Sequence, residues 1–310
     1  MTEFTDALSK CTNCSLEFLH LGYNKLGGFL PDSLGHLKNL KHLLLMGNSF
    51  LGSIPESIGN LSSLKEFYLS ENGMKGTIPV SLGQLSSLVA LDLKNNQWEG
   101  TITEAHLSNL TSLKDLSIVL TSLNITLFFN VSSDWIPPFK LTYLSLKNCQ
   151  LGPGFPMWLR YQNELEYVAF CNNKISGTIP DWFLKLDLIL YYLEISNNLL
   201  SGTVPNTIKF SPQAAVILNY NRFTGPLPVL SSNGVVSSAR SEEEGCVTRV
   251  AAKRWSGFDS RRRGGLNLDS GLQQRLIHNL GLVGAKIRRL DFVGNKRRGI
   301  GRREEIGLGN

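Results

Sequence analysis

No stretch of this 310-residue sequence approaches the roughly eighteen consecutive apolar residues that a transmembrane helix requires, so no membrane span is predicted. Met1 to Lys10 carries Glu3, Asp6 and no apolar run of the length a secretion signal needs, so none is predicted there. Cysteine is scarce: five residues are too few to build a disulfide scaffold. Cys11-x-x-Cys14 has no second pair beside it, and the histidines (His20, His36, His42, His106, His278) are scattered, which argues against a zinc site. A local bridge or simple exposure explains that pair more simply. There is no Gly-rich phosphate loop, no kinase Lys and Asp-Phe-Gly set, and no Ser/His/Asp arrangement at a suggestive spacing. No catalytic residue, metal or cofactor is therefore predicted, and the chain is expected not to be an enzyme.

Arginine is almost missing from the first three quarters. Residues 1–233 hold only Arg160 and Arg222, with 15 Lys+Arg against 17 Asp+Glu, net −2. Residues 234–310 hold 13 arginines, with 16 Lys+Arg against 8 Asp+Glu, net +8, and the two segments sum to the +6 of the whole chain. Runs such as Arg261-Arg262-Arg263, near Trp255 and Phe258, suit phosphate contacts to nucleic acid or an anionic membrane. The segment nevertheless has no organised helical face and glycine throughout, so it is expected to be a disordered basic tail without a nucleic-acid partner. An abrupt change of this kind is also what translation of an intron or of a shifted frame would produce. At 42% hydrophobic and 18% charged, the chain as a whole has enough apolar material for a sizeable core.

What is abundant is a period. Leu16, Leu19, Leu21, Asn24, Leu26, Gly28 and Leu30-Pro31 return as Leu40, Leu43, Leu45, Asn48, Phe50, Gly52 and Ile54-Pro55. The frame recurs with anchors at Asn72, Asn96, Thr121, Cys149, Asn173, Asn198 and Asn221, spaced by 23 to 28 residues. In Leu-x-x-Leu-x-Leu the last two leucines are two apart, which puts both on one face of a short strand and the intervening residues on the other. The anchor Asn can bind backbone groups of the turn and of the neighbouring coil with its amide oxygen and NH2. Thr121 and Cys149 do this less well, so those coils should be locally weaker. One coil cannot bury its own leucines; stacking makes each coil the cover for the next.

These residues resemble the plant-type leucine-rich repeat. Stretches such as Asn130-Val-Ser-Ser-Asp-Trp-Ile-Pro-Pro-Phe-Lys-Leu and Gly225-Pro-Leu-Pro are similar to the ectodomains of plant receptor-like proteins of the disease-resistance type. The resemblance implies an α/β solenoid, a right-handed superhelix with a concave parallel β-sheet. Its boundaries would be an N-terminal leader at 1–15, about nine coils over 16–233 and the tail at 234–310, with truncation at both ends relative to the family pattern. It also implies a non-catalytic recognition module at the extracellular face of the plasma membrane or in the cell wall. Such a module would bind a protein, peptide or carbohydrate elicitor in defence or development and signal through a co-receptor kinase. The alternative is a secreted leucine-rich-repeat inhibitor of a cell-wall-degrading hydrolase.

The strand residues outside the core form columns across a face on the order of 40 Å long, from roughly 4.8 Å per strand. Six before each anchor run Phe18, His42, Glu66, Ala90, Asp115, Tyr143, Tyr167, Tyr192 and Ala215; four before run His20, Leu44, Tyr68, Asp92, Ser117, Ser145, Ala169, Glu194 and Ile217. Tyr143, Tyr167 and Tyr192 with Glu194, and Tyr68 with Asp92, are the candidate ligand contacts, because tyrosine offers a large rigid area and a hydroxyl at small entropy cost. Stacking of aromatic residues across strands is the competing explanation. Asn-x-Ser/Thr sequons at Asn13, Asn60, Asn109, Asn124 and Asn130 are candidate glycan acceptors, with Asn60 and Asn109 on the returning, convex side.

Overall fold

The computed structural model describes residues 15–122, 124, 126–226 and 235–237. All of them lie in the first of two compact units, Met1–Lys253. Arg254–Asn310, Asn13 and the Cys11 and Cys14 pair lie outside the described residues, as do residues 238–253 of the expected tail.

Every coil turns its Leu-x-x-Leu-x-Leu segment into a strand. Phe18–His20, His42–Leu44, Glu66–Tyr68, Ala90–Asp92, Asp115–Val119, Tyr143–Lys147, Tyr167–Cys171, Ile189–Glu194 and Lys209–Ile217 pair in parallel and in chain order. Val235–Ser237 adds a tenth strand beside Ala215–Ile217. That strand begins just past residue 233, where the leucine frame is lost; backbone pairing needs only the open N–H and C=O groups of the last edge, not leucines.

Two smaller parallel sheets follow the anchors along the flank. The first joins Gly27–Phe29, Ser49–Gly52, Gly73–Thr77, Gln97–Ile102 and Leu127–Phe129; the second joins Ser176–Gly177, Leu199–Gly202 and Arg222–Phe223. Between them one coil contributes only the isolated bridge of Gln150 to Phe128. The repeat glycine lies in most of these flank strands; Gly76, for example, sits at φ +97°, a left-handed conformation open to glycine but strained for other residues.

Among the described residues the return path is built from short 3-10 helices, Asp32–His36, Glu56–Asn60, Val80–Gln84, Glu104–His106 and Met157–Tyr161, with an α-helical turn at Asp181–Leu184. Pro31, Pro55, Pro79 and Pro156 stand immediately before four of them in extended conformation, where a missing N–H removes no needed bond. These helices pack so closely that a Cβ on Gly83 would lie 2.3 Å from the Ala105 carbonyl oxygen. Inside the stack the repeat leucines are fully buried, and Phe50, Met74 and Trp98 from the flank strands join them. Each such side chain contributes about 1.5–3 kcal/mol of transfer free energy.

The anchors form a ladder of hydrogen bonds between coils. Asn48 Oδ1 accepts from the Leu26 N–H at 3.1 Å, while its Nδ2 donates to the Leu21 carbonyl of the preceding coil at 2.8 Å and to Leu45 of its own at 3.0 Å. Asn72, Asn96, Asn198 and Asn221 repeat this pattern. Asn173 keeps the two inter-coil bonds, from the Cys149 N–H and to the Leu146 carbonyl, and Asn24 bonds only within its own coil. Thr121 and Cys149 differ as expected from their side chains. Thr121 reaches only the Asn96 carbonyl, at 3.4 Å. The Cys149 thiol lies 3.9 Å from the Ile118 and 3.4 Å from the Lys147 carbonyl, and neighbouring Asn148 supplies the missing donor to Leu120 at 2.7 Å.

The buried rungs should therefore matter more than the exposed first one. Asn198 accepts from two backbone N–H groups and donates to three carbonyls, whereas Asn24 donates only to Leu21 and Gly22 of its own coil. Asn198→Ala is expected to lower the unfolding free energy by about 1–3 kcal/mol, and Asn24→Ala by clearly less, read as the shift of the denaturant midpoint. Equal effects would contradict the inter-coil origin of the stabilisation.

Candidate recognition surface

The strand register aligns both columns expected from the sequence. Residues six before the anchors face one another in unbroken succession from Phe18 through His42, Glu66, Ala90, Asp115, Tyr143, Tyr167 and Tyr192 to Ala215. The residues four before them align likewise, so Tyr68 faces Asp92 and Ala169 faces Glu194.

The three tyrosines stack. Tyr143 and Tyr167 have ring centroids 4.1 Å apart at 16°, and Tyr167 and Tyr192 lie 4.3 Å apart at 4°. Cross-strand stacking is thus present, and it occupies the ring faces. The hydroxyl of the last ring makes a polar contact: Tyr192 Oη donates to Glu194 Oε2 at 2.8 Å. That same Oε2 accepts from Lys147 Nζ at 2.6 Å, and Ser196 Oγ donates to the other carboxylate oxygen at 3.3 Å. Lys147 and Glu194 are only 9% and 8% exposed, so their pairing is what makes burying either charge tolerable.

Lys147 and Glu194 belong to strands separated by Tyr167–Cys171. The intervening strand presents fully buried Ala169, whose small side chain leaves room for the long lysine to cross to the next strand but one. The two sequence columns do not include Lys147. Its signal is the third column, two before the anchors, where Met46, Ser70, Lys94, Val119, Lys147, Cys171 and Ser196 mix charged and small residues.

Tyr68 and Asp92 do not join this group. The strand Asp115–Val119 separates them from Tyr143, and Asp92 pairs instead with Lys94 at 3.4 Å. Nearer the start of the sheet His42 Nδ1 lies 2.9 Å from Glu66 Oε2. Burial raises the Asp115 carboxyl above the usual range, against a Thr142 hydroxyl that donates to it at 3.1 Å. Burial, followed by the neighbouring tyrosine hydroxyls and the Glu194 carboxylate, pushes Tyr167 far above its ordinary value; burial and then Glu194 do the same to Tyr192.

Asn60 ends the 3-10 helix Glu56–Asn60 and Asn109 closely follows Glu104–His106. Both are exposed on the return side, and Asn124 and Asn130 are exposed as well.

A family description, leucine-rich repeat region, matches residues 14–176. The chain belongs to the leucine-rich-repeat family. Its relatives within that family are plant receptor-like proteins. It is 43% identical over 133 residues to receptor-like protein EIX1 of Solanum lycopersicum, covering 43% of this chain and 12% of that protein. It is 33% identical over 224 residues to receptor like protein 27 of Arabidopsis thaliana, covering 72% of this chain and 21% of that one. The chain thus spans a minor part of the length of the curated relatives it matches. Among solved leucine-rich-repeat structures, the ectodomain of the Arabidopsis receptor kinase HAESA, bound to an IDA peptide hormone, superposes with a TM-score of 0.55 at 30% identity, covering 74% of this chain and 43% of that one. The plant peptide hormone receptor RGFR1, bound to RGF2, gives 0.52 at 29% identity, covering 70% and 38%.

The stacked tyrosines give this leucine-rich-repeat sheet an alkaline signature. Groups whose folded pKa lies above the unfolded value near 10 contribute stability that is fully present below that value and is lost as pH rises through the folded pKa. Absorbance titration at 295 nm should show Tyr167 and Tyr192 resisting ionisation until the chain unfolds, and Tyr167→Phe plus Tyr192→Phe should flatten the loss of stability above pH ~10. Native-state ionisation of all tyrosines at the ordinary value would contradict the burial described above.

Proposed function

We propose that this chain is the recognition part of a plant receptor-like protein ectodomain, facing the extracellular side, that binds a peptide or protein ligand along the concave sheet and signals through a co-receptor kinase. The observation that carries the reading is the tyrosine ladder of Tyr143, Tyr167 and Tyr192 closing on Glu194 and Lys147. It sets a rigid aromatic strip beside a polar, charge-bearing end, the combination that concentrates binding energy at protein interfaces. Tyr68 and Asp92 offer a separate polar contact towards the N-terminal end of the sheet, one strand away from the strip.

Two likenesses support this reading. HAESA is seen with the peptide hormone IDA and the co-receptor SERK1, and the chain superposes on that receptor with a TM-score of 0.50 at 26% identity. The sequence relatives are receptor-like proteins. The exposed sequons at Asn60, Asn109, Asn124 and Asn130 are glycan acceptors on this reading. They stand outside the tyrosine strip, so glycans there would leave it open.

A displayed library of random peptides panned against the secreted chain is expected to yield binders. Changing Tyr143, Tyr167 and Tyr192 together to Ala should weaken them at least tenfold, since each such anchor is worth ~2 kcal/mol, with an unchanged circular dichroism spectrum. Peptides that bind the triple variant equally well would overturn the assignment of the site. Loss of the fold in that variant would mark the ladder as structural only.

A further inference from the structure

The flank sheet is interrupted once. After Leu127–Phe129 the next coil contributes only the bridge at Gln150, and ordered pairing resumes at Ser176–Gly177. The interruption leaves a cleft of about 330 Å³, within the ~300–1,000 Å³ of small-molecule sites. Phe155 and Trp158, 9% and 3% exposed, are among its deepest lining residues, and Phe129 and Met157 line it as well. Its lining also includes Asn130, the acceptor of the sequon Asn130-Val131-Ser132.

Asn130 is held by its backbone while its side chain is exposed. Its N–H donates to the Ile102 carbonyl at 2.9 Å, and the following Ser132 N–H donates to Glu104 Oε1 at 2.6 Å. The Asn130 backbone is thus fixed at the cleft, whereas Asn60 and Asn109 lie on the outer return path and do not line it.

We propose that Asn130 is an N-glycosylation site whose first two N-acetylglucosamine residues seat in this cleft, filling the gap in the flank sheet. In the attachment step Asn130 Nδ2 attacks C1 of a polyprenyl-diphosphate-linked oligosaccharide. The N–C1 bond forms, the C1–O bond to the diphosphate breaks, the amide nitrogen gives up one proton, and polyprenyl diphosphate leaves. The donor acts on the chain before it folds; folding then brings the tethered sugar to the cleft. Sugar C–H faces suit the aromatic and thioether lining, and the tether supplies a high effective concentration, so weak contacts suffice. This inference rests on the extracellular reading above, because only a chain that enters the secretory route meets the donor.

Gly154 provides the test. It lines the cleft, and a Cβ built on it meets nothing within 4 Å, so a side chain at this position starts into open space and Gly154→Phe is the variant that competes with the sugar for it. The full chain is secreted from cells restricted to high-mannose glycans and digested, undenatured, with endoglycosidase H, and each site is followed by glycopeptide mass spectrometry. Asn60 and Asn109 are expected to be trimmed at least tenfold faster than Asn130. Gly154→Phe should bring Asn130 to their rate at an unchanged melting temperature, while Gly154→Ala should leave it protected. Equal trimming in the unaltered chain, protection that survives Gly154→Phe, or an unmodified Asn130 beside modified Asn60 and Asn109 would overturn the seating. If all sequons are unmodified, the extracellular reading fails and takes this inference with it.

Discussion

The structure depends on the anchor asparagines, whose side-chain amides join successive coils at every anchor except Asn24, Thr121 and Cys149. Stacking leucine-lined coils is favourable wherever apolar surface leaves water, and the buried face excludes a one-residue slip of register, but apolar contact alone does not define the rise between one coil and the next. The asparagine does, because one side chain must satisfy the backbone of two coils at once, and its alternatives inside a dry core are unpaired groups. Once Asn48, Asn72 and Asn96 fix that spacing, the strands fall into line and the residues between the leucines become continuous columns. The layout of that surface follows from the geometry of the core.

Much of this was legible in the sequence. Counting back from the anchors predicts both columns, and the register reproduces them because a period of two admits no slip while one face is buried. The weak rungs at Thr121 and Cys149 were legible for the same reason: a hydroxyl or thiol lacks the donor and acceptor pair of an amide. The flank sheets were not, since strands such as Ser176–Gly177 and Arg222–Phe223 are too short to carry a periodic signal. Nor was the Lys147 to Glu194 bond, which depends on Ala169 being small on a strand between them. A residue's usefulness as a gap is invisible until its neighbours are placed.

The coil around Asn130 shows how irregularity can be productive. Where the anchor spacing stretches to 28 residues, between Thr121 and Cys149, the Gly and apolar-Pro positions of the repeat are lost; the flank sheet breaks in the following coil, at Gln150, and the cleft forms between the two. Trp135, Phe139 and Trp158 pack edge to face there, replacing part of the repeat's leucine packing with aromatic contacts. The same irregularity that weakens the ladder thus creates a lined space near a candidate modification site.

The bond from Lys147 to Glu194 has a further consequence for how forces pass along the chain. In a stacked array each coil ordinarily feels only its immediate neighbours, so a disturbance decays from one coil to the next. A link that skips a coil, reinforced by two stacked ring pairs, couples three successive coils into one mechanical block. With the poorly laddered Thr121 coil on its N-terminal side, the array is then a stiff segment next to a compliant joint, and a load on the tyrosine strip would be felt as bending at that joint.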